Sequence, residues 1–208
     1  MRTPNPKHLG HKNPTPWLAT AVYEELIKAR RAVLTGHFLL TSGLHSDHYV
    51  QCAKLFEDPK DAERLGRALS HLTPRGVEAI VSPALGGILI GYEVARALGV
   101  RFLFTERENG KMTLRRGFNL GEMEKIVVVE DVFTTGGSTL EVMEVVRSQH
   151  AQTIGVLSVI NRGCDVSRFG VPAASLVELD LKNYQPSECP MCAKGIPVIK
   201  PGSRTQPK

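Results

Sequence analysis

Apolar residues along this chain fall into two rhythms that alternate from one end to the other. From Trp17 to about Ala32, Leu18, Val22, Leu26, Ile27 and Val33 recur at roughly helical spacing and predict an amphipathic helix. Phe38-Leu39-Leu40 and Tyr49-Val50 predict short strands around a polar turn, Thr41 to Asp47. Asp58-Pro59 opens a helix reaching about Leu72, with Pro in the first turn, where its missing N–H is harmless. Beyond it, strand and helix repeat. Ala79-Ile80-Val81 leads through a turn, Pro83 to Gly87, into a helix ending near Leu98, and Arg101 to Thr105 is the next strand. Ile126 to Val129 leads through a second turn into a helix from about Ser138 to Ser148, and Ile154 to Ile160 and Ser175 to Leu179 follow as strands. Strands that are apolar without alternation, separated by helices, predict an α/β fold with a parallel sheet covered on both faces. Glu106 to Lys125 is too polar and Gly-rich for core and reads as a long functional loop.

Length and composition suit one folded domain. The chain has 208 residues, 42% hydrophobic and 23% charged, which excludes a disordered, collagen-like or coiled-coil chain. No apolar run approaches the ~20 residues that span a bilayer. The first sixteen residues hold four prolines and no apolar stretch, so they read as a loose arm without a secretory signal. Four cysteines are too few for a disulfide scaffold, and a reducing cytoplasm is the expected location. Charge adds one point. Arg2, Lys7 and Lys12 at one end and Lys194, Lys200, Arg204 and Lys208 at the other carry no accompanying acid, and without these seven the net +5 becomes −2. A nucleic-acid binder concentrates basic charge on its folded surface, so no nucleic-acid partner is expected. The organisation predicted is an arm (1–16), a folded domain (17–192) and a basic tail (193–208).

The strongest chemical signal is Val127-Val128-Val129-Glu130-Asp131-Val132-Phe133-Thr134-Thr135-Gly136-Gly137-Ser138. A buried strand ends in adjacent carboxylates, then a Thr/Gly/Ser loop, then a helix N-terminus. At the carboxyl end of a parallel sheet, such a loop offers backbone N–H groups, hydroxyls and a helix dipole to a phosphate. Glu130 and Asp131 would repel that phosphate, so they must serve another part of the ligand: ribose hydroxyls, Mg²⁺, or positive charge developing on a sugar carbon.

This stretch resembles the phosphoribosyl-pyrophosphate (PRPP) motif of the type I phosphoribosyltransferases and, among them, the orotate phosphoribosyltransferases. The resemblance runs from about Phe38 to Leu179. It implies a type I phosphoribosyltransferase-like sheet plus a small hood, about residues 17–52, whose segment Thr41 to Gln51 covers the base. Ser82 to Gly87, with Leu85, Gly86 and Gly87, takes the place of the pyrophosphate loop. Arg107 to Gly117 is similar to the mobile catalytic loop, and Arg162 in Asn161-Arg162 to the Arg that grips orotate. The implied reaction is Mg²⁺-dependent transfer of ribose 5-phosphate from PRPP to orotate, giving orotidine 5′-monophosphate and pyrophosphate. On this resemblance Glu130 and Asp131 hold the ribose and stabilise an oxocarbenium-like transition state, and the segment from Val132 and Phe133 through Thr134, Thr135, Gly136, Gly137 and Ser138 holds the 5′-phosphate. Arg107 and Lys111 neutralise pyrophosphate, and Thr134, Arg162 and Tyr49 meet orotate, Tyr49 by stacking. Mg²⁺ would be held mainly by PRPP, with Asp131 as the candidate protein contact. The family's loop also implies a homodimer sharing residues 106–125 across its interface.

Three positions depart from the family pattern: Thr41 and the Ala84-Leu85-Gly86-Gly87 stretch lack a Lys, and Thr113 stands where a His is usual. Arg115 and Arg116 are candidates for the missing charge. The missing lysines keep transfer to another base open as an alternative; a PRPP-sensing nucleic-acid-binding regulator is the other, and the slightly acidic core speaks against it. Cys189-Pro190-Met191-Cys192 has the spacing of a zinc half-site, but Cys52 and Cys164 are distant and no nearby His completes a set, so it reads as a C-terminal turn packed on the core. His45 and His48 read as solvated turn residues. Arg64, Arg67 and Arg75 read as a solvated helical face.

Overall fold

The computed structural model describes residues 16–40 and 42–201. Thr41, residues 202–208 of the tail and all of the arm except Pro16 lie outside them. Helix α1 (Pro16–Ala29) leads into strands β1 (Val33–Leu39) and β2 (His45–Val50), which pair antiparallel. Helix α2 (Pro59–Ser70) starts where the sequence places it, with the Asp58 carboxylate accepting from Lys60 N at 3.0 Å. Then come β3 (Ala79–Pro83), α3 (Gly86–Leu98), β4 (Arg101–Glu108), β5 (Lys111–Leu114), β6 (Lys125–Phe133), α4 (Gly137–Ser148), β7 (Gln152–Asn161) and β8 (Ala173–Glu178). They form a six-stranded sheet ordered β5-β4-β3-β6-β7-β8, parallel except for β5. Two short elements close the chain, β9 (Asn183–Tyr184), which pairs with β2, and α5 (Pro190–Ala193).

The central strand explains why the sequence lacks alternation. Val127 and Val129 pack on one face with Leu65, Leu69, Ile90 and Val94 of α2 and α3. Ile126 and Val128 pack on the other with Val142 and Val146 of α4. All four β6 residues are fully buried, and each such side chain contributes roughly 1.5–3 kcal/mol. Among the described residues no helix is long and apolar enough to cross a membrane.

Three expectations need correction. Residues 106–125 are not a single loop: β4 runs on to Glu108 and turns at Asn109-Gly110, both with positive φ, into β5. Met112 of this hairpin and Leu120 beyond it are buried in the core. His45, Ser46 and Asp47 belong to β2 rather than to a turn, with His45 and Ser46 buried. Residues 193–201, grouped with the tail by composition, return along the hood, where Ile199 N donates to His37 O and Leu39 N to Ile199 O.

Candidate active site

Strand order creates the opening. β3 and β6 are neighbours, but α3 leaves β3 for one face of the sheet while α4 leaves β6 for the other. Their carboxyl-end loops therefore diverge and leave a crevice, the usual ligand position in an open parallel sheet. A cavity of about 670 Å³ opens on the β6 side of this crevice, bounded by the loop after β6, the hood, the start of α4 and the segment after β7. The turn after β3, with Leu85, Gly86 and Gly87, and the Glu130 and Asp131 side chains lie outside its lining.

Thr134, Thr135, Gly137 and Ser138 line this cavity together with Tyr49, Val132, Arg107 and Arg162. The sequence points to all eight as phosphate, base or pyrophosphate contacts, and one cavity brings them together. Gly136 caps α4 with φ +76°, and a Cβ there would meet the Phe169 ring at 2.9 Å. Only glycine lets the loop turn over that ring and present its N–H groups. Phe133 is corrected in role: its ring is buried and packs on Phe169, centroids 5.2 Å apart, so its side chain cannot touch a ligand. Its carbonyl accepts from Arg162 N at 2.8 Å and ties the loop after β6 to the segment bearing Arg162.

Glu130 and Asp131 sit at the end of β6 against the turn after β3. A Cβ on Gly86 would stand 2.7 Å from Asp131 Oδ2, and one on Gly87 would stand 3.0 Å from Glu130 Oε2. These glycines thus make room for the carboxylates as much as for a phosphate. Burial pushes Asp131 up to about 6, against the pull of the Val132 N–H it accepts at 2.9 Å. Burial and then the Asp131 charge push Glu130 well above the carboxylate range. Glu130 Oε2 is buried and has no hydrogen-bond partner among the described residues. A pair this poorly solvated is suited to bound hydroxyls, a divalent cation or a developing positive charge. Gly86→Ala should push Asp131 out of place and lower kcat/KM by about 10²-fold, measured by steady-state kinetics, with folding unchanged by circular dichroism. Unchanged kinetics would show that Asp131 does not need this position.

Arg162 is buried and split between two tasks. Its Nη2 donates to Ser46 Oγ at 2.7 Å, Asn183 Oδ1 at 3.0 Å and His48 O at 3.3 Å, holding the hood strands. Its Nε is buried without a partner among the described residues, and desolvation lowers its pKa from the usual guanidinium value. An anion in the cavity would satisfy both deficits. Burial, followed by the Asp131 charge, raises the Tyr49 phenol, so Tyr49 presents a neutral ring.

Arg107 reaches the cavity from β4 but is paired with Glu141 on α4 at 2.7 Å. Arg115 pairs with Glu108 and Arg116 with Glu106, so the candidates for extra charge are already partnered. Lys111 opens β5, is exposed, does not line the cavity, and has no ion-pair partner among the described residues. Arg168 and Lys200 line the cavity without any signal in the sequence pointing to them. Phe169 draws Arg168 into place by packing on Phe133, and Arg168 Nη1 then donates to Thr135 O at 2.6 Å.

Residues 60–180 match the phosphoribosyl transferase domain model. The chain is 50% identical over 182 residues to the orotate phosphoribosyltransferase of Thermotoga maritima, covering 87% of this chain and 97% of that one. It is 49% identical over 174 residues to that of Desulforamulus reducens, covering 83% and 91%. A crystal structure of orotate phosphoribosyltransferase from Aeropyrum pernix is similar with a TM-score of 0.61 at 28% identity, covering 74% of this chain and 92% of that one.

Proposed function

The chain belongs to the orotate phosphoribosyltransferases, within the phosphoribosyl transferase domain family, and from that premise we propose that its cavity transfers ribose 5-phosphate from PRPP to orotate, releasing pyrophosphate and orotidine 5′-monophosphate. The observation that carries this reading is the convergence on one cavity of the Thr/Gly/Ser loop before α4, Thr134 to Ser138, and a buried Arg162 whose Nε lacks a partner among the described residues.

Backbone N–H groups of the loop and the N-terminus of α4 hold the 5′-phosphate, and the Thr134, Thr135 and Ser138 hydroxyls add donors. Arg162 pairs with the orotate carboxylate, and Tyr49 lies against the planar base. Glu130 and Asp131 accept from the ribose hydroxyls and face the sugar carbon. As the bond to pyrophosphate breaks, positive charge grows on the ring, and the carboxylates stabilise it more than they stabilise the ground state. Arg107 and Lys111 meet the charge that accumulates on pyrophosphate. The unpartnered Glu130 Oε2 and the adjacent Asp131 fit a contact with Mg²⁺, which would offset the negative charge of the pyrophosphate group when bound. Lys111 enters the neighbouring subunit's cavity, and a homodimer in the cytoplasm is the working form.

The test is orotate consumption, followed by its absorbance with PRPP and Mg²⁺, beside a panel of purine and pyrimidine bases. Orotate alone should turn over efficiently, and preferred turnover of another base would overturn the reading. Base choice has a sharper test. Arg162→Ala should cost roughly 2–4 kcal/mol in kcat/KM for orotate while PRPP affinity barely moves. Arg162→Lys keeps the charge but loses the planar fork, and should recover only part of that. Equal losses toward both substrates would mean that Arg162 serves the hood alone.

A further inference from the structure

Four side chains that the proposed reaction does not use meet behind the hood. His37 on β1, His45 on β2, and Cys189 and Cys192 at α5 place one nitrogen or sulfur atom each within 4.8 Å of one another. His37 Nε2 lies 2.8 Å from His45 Nδ1, 3.5 Å from Cys189 Sγ and 3.7 Å from Cys192 Sγ, and Cys192 Sγ lies 3.3 Å from His45 Nδ1. We propose that these four residues bind a structural zinc ion that clamps the C-terminal segment onto the hood.

The geometry matches the ion. With Zn–S near 2.3 Å and Zn–N near 2.0–2.1 Å, a tetrahedral S₂N₂ centre has N–S edges of about 3.5 Å and an N–N edge of about 3.3 Å. The N–S edges bracket that figure, and the imidazole nitrogens need to part by about half an ångström. The His37 nitrogen is also prepared chemically. His37 Nδ1 lies 2.7 Å from Ile196 O, a carbonyl that can only accept. Nδ1 therefore carries the proton, and Nε2 presents its lone pair to the cluster. Both cysteines are free thiols rather than a disulfide. Borderline-soft zinc suits two thiolates and two imidazoles, and four protein ligands leave no open position for catalysis. Binding would release the two thiol protons.

The hood would gain from such a clamp. It has three strands, one of them two residues long, and a sheet that small is marginal without a staple. In β1 the pairing register shifts between Thr35 and Phe38, an irregularity of the kind that re-aims a side chain, and His37 lies within it. From the cluster the chain continues along β1 through Ile199 to Lys200 and Pro201 at the cavity wall. The sequence missed the site because the histidines lie some 150 residues before the cysteines. The zinc assignment stands independently of which base the cavity takes.

The experiment uses the full chain, purified without a polyhistidine tag. Elemental analysis should find about one zinc per chain. Exchange with cobalt(II) should give the intense visible bands of tetrahedral cobalt and a thiolate charge-transfer band. Cys189→Ser and Cys192→Ser should lose the metal, whereas Cys52→Ala should keep it. Stripping the parent with a chelator should lower Tm by roughly 5–10 °C, restored by added zinc, a readout that stands if the serine variants fail to fold. Three results would each overturn the proposal: a chain that takes up neither zinc nor cobalt, metal retained in folded Cys189→Ser and Cys192→Ser, or a Tm indifferent to stripping.

Discussion

Asp131→Asn will lower kcat by ~10²-fold or more while changing PRPP affinity far less. Asparagine keeps the size and the bond from Val132 N but removes the charge that, in the proposed reaction, faces the ribose. The lost interaction belongs mainly to the transition state, so it appears in kcat. The same substitution should make the ligand-free protein more stable, and the pH dependence has a definite sign. Burial raises Asp131 in the folded chain from its ordinary 3.8 to about 6. A carboxyl raised in this way favours folding below its unfolded value, and that stabilisation disappears as pH rises through 6. At pH 7 and above the parent therefore carries a destabilising buried charge that the variant lacks. The side chain is partly accessible to water, so the gain is discounted to about 1–3 kcal/mol. Melting curves from pH 4 to 8 should show the two proteins converging at the acid end and the variant ahead at neutral pH. A variant with unchanged kcat would make Asp131 a strand cap. One that lost stability at neutral pH would show that the carboxylate holds the fold rather than burdening it.

That opposition between stability and activity also marks where the sequence was readable. Glu130-Asp131 and Thr134 to Ser138 are contiguous, and their meaning follows from local facts: a strand buried on both faces, a glycine at the helix cap and a helix N-terminus. The parallel sheet was legible for the same reason, since Ile126 to Val129 must feed two cores at once. The hairpin of β4 and β5 escaped because its flanks, Glu106-Arg107-Glu108 and Lys111, look like loop. The Asn109-Gly110 pair was the local signal for it. Partnering was invisible for a different reason. Nothing near Arg162 in sequence announces that Ser46, from 116 residues earlier, and Asn183 will take its Nη2. Nor could composition show that Arg107, Arg115 and Arg116 spend their charge on Glu141, Glu108 and Glu106. Tertiary pairing left Lys111 as the hairpin's uncommitted cation among the described residues.

A mixture of two inactive proteins, Lys111→Ala and Asp131→Ala, should regain activity when the chains are unfolded and refolded together. Lys111 sits on an exposed strand end and does not line its own chain's cavity, so its charge is free to serve a neighbour. In a two-fold dimer each active site would then combine Asp131 of one subunit with Lys111 of the other. Each variant alone has one of the two defects in every active site and should be nearly dead. In a mixed dimer, the subunit retaining Asp131 receives an intact Lys111 from its partner, while the other active site collects both defects. Random mixing gives half the dimers in mixed form with one working site apiece, so about a quarter of the parent activity should return. Size-exclusion chromatography and differentially tagged chains can establish that mixed dimers form. If they form and activity stays at the level of the separate variants, Lys111 acts within its own subunit and the shared-site dimer is wrong. If mixing restores about a quarter, the cation of one subunit and the carboxylate of the other act on one substrate, and the dimer becomes a chemical requirement of the site.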